Sequence, residues 1–195
     1  MLVAGFATGP LQARCYLLAA AADGPCVVVD PGEDARAPLD AALAQHRLTP
    51  VALLATHGHP DHVGSAAELS AVYGVRLHLH PADADLAGCP SVPLNPGTHS
   101  FAGLDVEVLH TPGHTPGSVV FSLVTAEGGR LALTGDTIFA GSVGRSAGDH
   151  AELEESLQRL MTALPDETVL LPGHGQATTI GLERAVNPFL AGAGS

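Results

Sequence analysis

The sequence predicts an α/β fold, a mixed sheet with outer helices, and three observations carry that reading. Short apolar runs of strand length recur along the chain, helix-length segments lie between them, and many of the runs stop at loops punctuated by Gly, Pro, Asp or His. The first strand-like runs are residues 15–19, 26–29 ahead of Asp30-Pro31-Gly32, 51–55 ahead of a histidine cluster, and 75–79. A second series follows at 104–109 ahead of His110, 118–125, 130–133 ahead of Asp136, and 168–171 ahead of His174. Helix-like segments span 35–45, 65–73, 149–164 and 181–190. Ser65 with Glu68, and Asp149 with Glu152, have the spacing of an N-cap and its reciprocal acid, which marks two helix starts. Glu127-Gly128-Gly129 turns the chain between 118–125 and 130–133, so part of the pairing is antiparallel.

At 195 residues, with no linker, low-complexity segment or strong repeat, the chain is expected to form one domain over 1–195. It is 46% hydrophobic but only 4% aromatic, so Leu, Val and Ala must build the core. The formal charge of −12 argues against a nucleic-acid groove, because phosphate binding needs a cationic surface. No run of about eighteen apolar residues offers a membrane span, and the N-terminus lacks the basic region of a secretory signal. A cytoplasmic protein without a membrane partner is expected. Cys15, Cys26 and Cys89 are odd in number and lack C-x-x-C spacing, so all three are read as reduced and structural.

The chemistry concentrates in Thr56-His57-Gly58-His59-Pro60-Asp61-His62, where four metal-binding side chains fall within six residues after an apolar run. His57 and His59, as alternate residues, can point the same way, while the Pro60 turn offsets Asp61 and His62 toward a second location. Downstream, His114 sits in His110-Thr111-Pro112-Gly113-His114, Asp136 in Thr134-Gly135-Asp136-Thr137, and His174 in Leu171-Pro172-Gly173-His174-Gly175, each on a loop after a strand-like run. Five histidines and two aspartates are enough donors for two metal ions. Imidazole and carboxylate without thiolate suit Zn, Fe and Mn alike, with Zn the first expectation. Glycines 113, 135 and 173 adjoin these residues and are read as permitting unusual dihedrals. His78 and His80 form a second H-x-H with no acid after it, and they are read as packing or rim residues together with His46, His99, His110 and His150.

In that order the motifs resemble the metallo-β-lactamase superfamily, over nearly the whole chain. The resemblance implies a four-layer αββα sandwich with the metal site at one edge, between the sheets. It implies a first metal on His57, His59 and His114, a second on Asp61, His62 and His174, and Asp136 bridging them. Two ions about 3.5 to 4 Å apart can share a water and bring its pKa toward neutrality. The resulting bridging hydroxide, oriented by Asp61, would be the nucleophile, which gives Asp61 a catalytic role as well as a metal-binding one.

The stretch 135–146 and the ending 171–190 are similar to the short, single-domain glyoxalase II-like hydrolases. Aspartate at 136 departs from the true β-lactamases, which lack a bridging Asp there. Full glyoxalase II continues into a helical C-terminal substrate domain, whereas this chain is expected to lack one, and Ala13-Arg14-Cys15-Tyr16 stands where the family often has Thr-Asn-Cys-Tyr. The implied activity is hydrolysis of a small anionic thioester, S-lactoyl-glutathione or a related thiol conjugate, with Arg145 holding a substrate carboxylate. The alternative is a mononuclear-iron persulfide dioxygenase using His57, His114 and Asp136. A lactonase or a non-catalytic metal-binding domain ranks below both.

Overall fold

The structure, a computed structural model, describes residues 1–146, 148 and 150–190. The first sheet contains β1 (Leu2–Thr8), β2 (Ala13–Ala19), β3 (Pro25–Val29), β4 (Thr49–Leu54), β5 (Leu77–Leu79) and β6 (Ser91–Pro93), hydrogen-bonded in chain order. Its first three strands are antiparallel and the rest run parallel from β3 onward. The second sheet takes β7 (Gly97–Phe101), β8 (Leu104–His110), β9 (Val119–Val124) and β10 (Arg130–Gly135). After a small ribbon of β11 (Ile138–Phe139) and β12 (Ser142–Val143), it is completed by β13 (Val169–Pro172) and β14 (Thr178–Thr179), in the order β14-β13-β10-β9-β8-β7.

Strand alternation builds three apolar layers. Tyr16, Leu18, Val27, Val29 and Leu54 of the first sheet meet Val106, Val108, Phe121 and Leu133 of the second in a central core. Their neighbours Leu17, Cys26, Val28 and Leu53 face the other way, onto α1 (Arg36–His46) and α3 (Ala66–Tyr73) through Leu39, Leu43 and Leu69. On the far side Val120, Ala132 and Leu170 receive α5 (His150–Ala163), whose Leu153, Leu157, Leu160 and Met161 recur at helical spacing. The expected αββα sandwich is therefore present. Among the described residues no helix is long and apolar enough to cross a membrane. Cys15 and Cys26 are free thiols buried in the α1/α3 layer, and Cys89 is a partly buried free thiol at its edge.

Some elements depart from the sequence reading, each for an identifiable reason. The edge strands β1 and β7 were not expected: β7 reads Gly-Thr-His-Ser-Phe with no apolar run, and β1 is a half-exposed edge that buries mainly Leu2, Ala4 and Phe6. β4 begins earlier than 51 and takes in Pro50, which is tolerated because the register with β3 shifts there. The expected cap at Ser65 is absent, because its hydroxyl accepts a hydrogen bond from Ala35 N (3.1 Å) and so ties the start of α1 to the start of α3. Asp149, the other expected cap, lies outside the described residues. The last helix, α6 (Ile180–Val186), stops short of 190 since Asn187 precedes Pro188 and adopts an extended conformation. Leu190 then packs into the outer layer while Phe189 is exposed.

Candidate metal centre

β8, β10 and β13 run in one direction within the second sheet, and their C-terminal ends meet that of β4 at one edge of the sandwich. From β4 comes the loop 55–59, leading into the short α2 (Pro60–Val63); from β8 comes 111–118, from β10 Asp136, and from β13 His174. Pro60 starts α2 at its first position, and that turn carries Asp61 and His62 away from His57 and His59. A register shift between Leu133 and Gly135 bends the β10–β13 ladder just before its last pair, Gly135 with Pro172, and the chain then leads into Asp136. Gly173 N donates to Gly135 O at 2.8 Å, and Val119 N donates to Thr56 O at 2.8 Å, so the loops of both sheets are stitched together.

The structure brings all seven sequence-predicted residues into one cluster. His57, His59 and His114 form a trio whose donor atoms lie within 4.8 Å of one another, as do Asp61, His62 and His174, and also His57, His62 and Asp136. His59 Nδ1 is 3.0 Å from His114 Nε2, and His174 Nε2 is 3.2 Å from Asp61 Oδ2. Asp136 stands between the trios: Oδ1 is 3.3 Å from His62 Nε2, and Oδ2 is 3.6 Å from both His114 Nε2 and His174 Nε2. Gly173 lies so close that a Cβ there would collide with Asp136 Oδ1 and the His62 ring. Its role is this close approach, whereas Gly135 does adopt the left-handed backbone expected of it, at φ +48°.

Asp30, which the sequence reading treated only as loop punctuation, organises the histidines from behind. Its carboxylate accepts from Thr56 N (2.7 Å), Thr56 Oγ1 (2.8 Å) and His62 Nδ1 (3.0 Å). A carboxylate only accepts, so His62 donates from Nδ1 to Asp30 and directs Nε2 into the site, where a bound cation would displace the second proton that the neighbouring carboxylates favour. The Thr56 hydroxyl proton is committed to Asp30, so its oxygen is left to accept from His57 Nδ1 at 3.1 Å, which directs His57 Nε2 into the site as well. His114 Nδ1 donates to the backbone carbonyl of Arg145 at 2.7 Å. The cluster thus presents ring nitrogens oriented into the site. His57 Nε2, His62 Nε2 and Asp136 Oδ1 are buried without any hydrogen-bond partner among the described residues. Leaving such atoms buried and unpaired costs about 1–3 kcal/mol each, and cation coordination removes that cost.

The electrostatics agree with a cation site. Burial, reinforced by the neighbouring rings, holds His57 well below the ordinary histidine range and lowers His59 as well, so both are neutral donors. The hydrogen bond from His174 brings Asp61 down to about 2. Burial opposes charge on His62, but Asp30 and Asp136 outweigh it and push the ring up to about 10. A potential that holds a proton this strongly also favours a metal ion.

Asp83, for which the sequence offered no local signal, is fully buried and clamps two of the loops. It accepts from Gly58 N (2.9 Å), between His57 and His59, and from Thr115 Oγ1 (2.7 Å) and Gly117 N (2.7 Å), just after His114. Arg145 has an exposed side chain, and its backbone carbonyl is the part that orients His114. The other histidines stay outside the cluster. His80 stacks on His110 with ring centroids 4.2 Å apart, His78 and His99 pack on Phe101, and His46 and His150 lie on helices.

Comparison with known proteins agrees with this architecture. Hydroxyacylglutathione hydrolase GloC of Haemophilus influenzae is 33% identical, over 84% of this chain and 86% of that protein. TTHA1623 in a di-iron-bound form superposes with a TM-score of 0.83 at 39% identity, covering 96% of this chain and all of that one. The BLEG-1 B3 metallo-beta-lactamase superposes with a TM-score of 0.82 at 32% identity, over 97% of this chain and 99% of that one. The family profile described as the Metallo-beta-lactamase superfamily matches residues 8–174, a span that contains all seven clustered residues, and the chain belongs to that superfamily.

Proposed function

We propose that the protein is a binuclear metallohydrolase of small anionic thioesters, of the hydroxyacylglutathione hydrolase kind. The observation that carries the reading is Asp136, a single carboxylate within 3.6 Å of His62, His114 and His174, members of two separate donor trios. His57, His59 and His114 would hold one divalent ion and Asp61, His62 and His174 the other, with Asp136 shared. Zinc is the first expectation, and the di-iron form of TTHA1623 supports iron as the other. Two such ions, when bound, supply Lewis acidity and bring the pKa of a shared water toward neutrality.

The chain's own residues hold this chemistry in place. Asp30 keeps His62, and through Thr56 His57, in the tautomer that offers Nε2. Asp61, ionised far below neutral pH, accepts a hydrogen bond from the attacking water and orients it. Water adds to the acyl carbon, the C–S bond breaks, and the thiol leaves as the carboxylic acid forms. No Ser or Cys nucleophile is required: Cys15 and Cys26 are buried in the opposite layer, and burial raises their pKa values.

The name of GloC supports a hydroxyacyl-glutathione substrate, and the name of BLEG-1 places a β-lactam in any substrate panel. The deciding experiment measures metal per chain by elemental analysis and assays the same sample on S-lactoyl-glutathione. The expected result is close to two metals with turnover. One iron per chain, no thioester turnover and oxygen uptake with glutathione persulfide would replace this reading with the persulfide dioxygenase. Turnover of a β-lactam alone would replace it with a lactamase.

Arg145 is assigned to the substrate carboxylate. Its side chain is exposed and it is the backbone carbonyl that accepts from His114 Nδ1, so Arg145→Ala leaves that hydrogen bond in place. The variant is expected to raise KM for S-lactoyl-glutathione about tenfold and to leave KM for an uncharged thioester within about twofold. Steady-state kinetics on both substrates checks this, and an equal effect on the two would make Arg145 structural.

A further inference from the structure

A second arginine, Arg14, is tied to the loop that carries His174. Arg14 has the strand parity of Tyr16 and Leu18, whose side chains fill the space between the sheets. It lies near the start of β2, and the register pairs Tyr16 with Val29, the residue before Asp30. The between-sheet face of β2 at residue 14 is therefore at the edge where the donor trios gather. Hydrogen bonds fix the position from two directions. Arg14 N donates to Gly173 O at 2.7 Å and Arg14 Nε donates to Gly175 O at 3.3 Å, so the residue brackets His174. The Tyr16 hydroxyl adds a third tie to the same segment, donating to Pro172 O at 2.8 Å.

The guanidinium is not spent on a carboxylate. Arg36, Arg47, Arg159 and Arg184 are paired with Asp40, Asp23, Glu155 and Asp166 respectively. Arg14 makes no ion pair among the described residues, and its side chain hydrogen-bonds through Nε. Its two terminal nitrogens form a planar fork that matches a carboxylate, held in orientation by the Nε bond. In a chain of net charge −12, a partly buried, uncommitted guanidinium beside a metal ligand set is a local anion site.

We propose that Arg14 is a specificity-determining residue that binds a carboxylate of the thiol carrier next to His174, while Arg145 serves the His114 side. This rests on the thioesterase reading and narrows it: the preferred substrates are thiol conjugates bearing a carboxylate on the carrier, with glutathione as the type. A purely structural Arg14, acting as a strap for the His174 loop, makes a different prediction, because losing a strap harms metal binding and every substrate alike.

The test uses the metal-loaded protein and its Arg14→Gln and Arg14→Lys variants, with S-lactoyl-glutathione as the anionic substrate and S-lactoyl-N-acetylcysteamine as the uncharged one. Arg14→Gln is expected to raise KM for the first about tenfold or more, with KM for the second within about twofold and metal content unchanged. Arg14→Lys, which keeps the charge without the fork, should recover part of the loss. Equal losses on both substrates with reduced metal content, or no change on either, overturn the proposal. Calorimetric titration of S-methylglutathione, which cannot be hydrolysed as a thioester, separates this inference from the assignment of the reaction. If wild-type protein turns over neither thioester, the reaction assignment fails. Arg14 as an anion site still stands if Arg14→Gln weakens S-methylglutathione binding, and falls if the affinity is unchanged or the wild type does not bind.

Discussion

Replacing Asp136 with alanine is expected to lower metal content from two per chain to one or fewer. The same change should reduce kcat/KM on S-lactoyl-glutathione by at least about 10³-fold, equivalent to about 4 kcal/mol of transition-state stabilisation. The size follows from its position. Asp136 lies within 3.6 Å of His114 on one side and of His62 and His174 on the other, so its loss removes the carboxylate that the two proposed ions would share. The fold is expected to survive. Asp136 lies beyond the end of β10, whose Leu131, Ala132 and Leu133 carry the packing, and its carboxylate faces His62, His114 and His174. Far-UV circular dichroism should therefore match wild type while elemental analysis and turnover collapse. Wild-type turnover from a variant holding one metal would sink the shared-carboxylate mechanism. Asp136→Asn, which keeps the shape and loses the charge, should fall between the two and separate the geometric from the electrostatic part.

Much of this arrangement was legible because each clustered side chain belongs to a local motif at the end of a strand. His57 to His62 can be read as a unit, and His114, Asp136 and His174 each follow an apolar run that stops abruptly. The αββα layering followed from resemblance, and alternation alone did not supply it, since Leu17 and Leu18 look equivalent until the two sheets and their helices are in place. What escaped the sequence depends on distant partners. Asp30 looked like part of an Asp-Pro-Gly turn, and its left-handed backbone (φ 53°) and its role behind the histidines emerge only in the fold; an acid directly after the apolar run 26–29 was the available signal. Ser65 had the spacing of a cap, yet a hydrogen bond from a residue thirty positions earlier took its hydroxyl. Arg14 is meaningful only because β13 ends beside β2, which no local pattern encodes.

Asp83 makes the same point with larger energetic consequences. It is fully buried in the 3-10 turn after β5 (Pro81–Asp83) and belongs to neither donor trio, yet it accepts from loops of both sheets. Asp83→Ala would leave the N–H groups of Gly58 and Gly117 buried and unpaired, at about 1–3 kcal/mol each. A total of about 3 kcal/mol or more is expected, which in a domain of this size lowers Tm by roughly 6–12 °C. The loss would not be spread evenly over the site. Gly58 separates His57 from His59, and Thr115 follows His114, so the clamp acts on the first trio. The second trio is held by Asp30 and the β13 loop, which Asp83 does not touch. Zinc titration by calorimetry should therefore show one site weakened by about 10–100-fold, the range for loss of a supporting partner, with the other near wild type. Asp83→Asn keeps one carboxamide oxygen as an acceptor, and should restore much of the Tm while restoring less of the weakened site's affinity. Two sites weakened equally would mean that Asp83 supports the fold in general and that the first trio does not depend on its clamp.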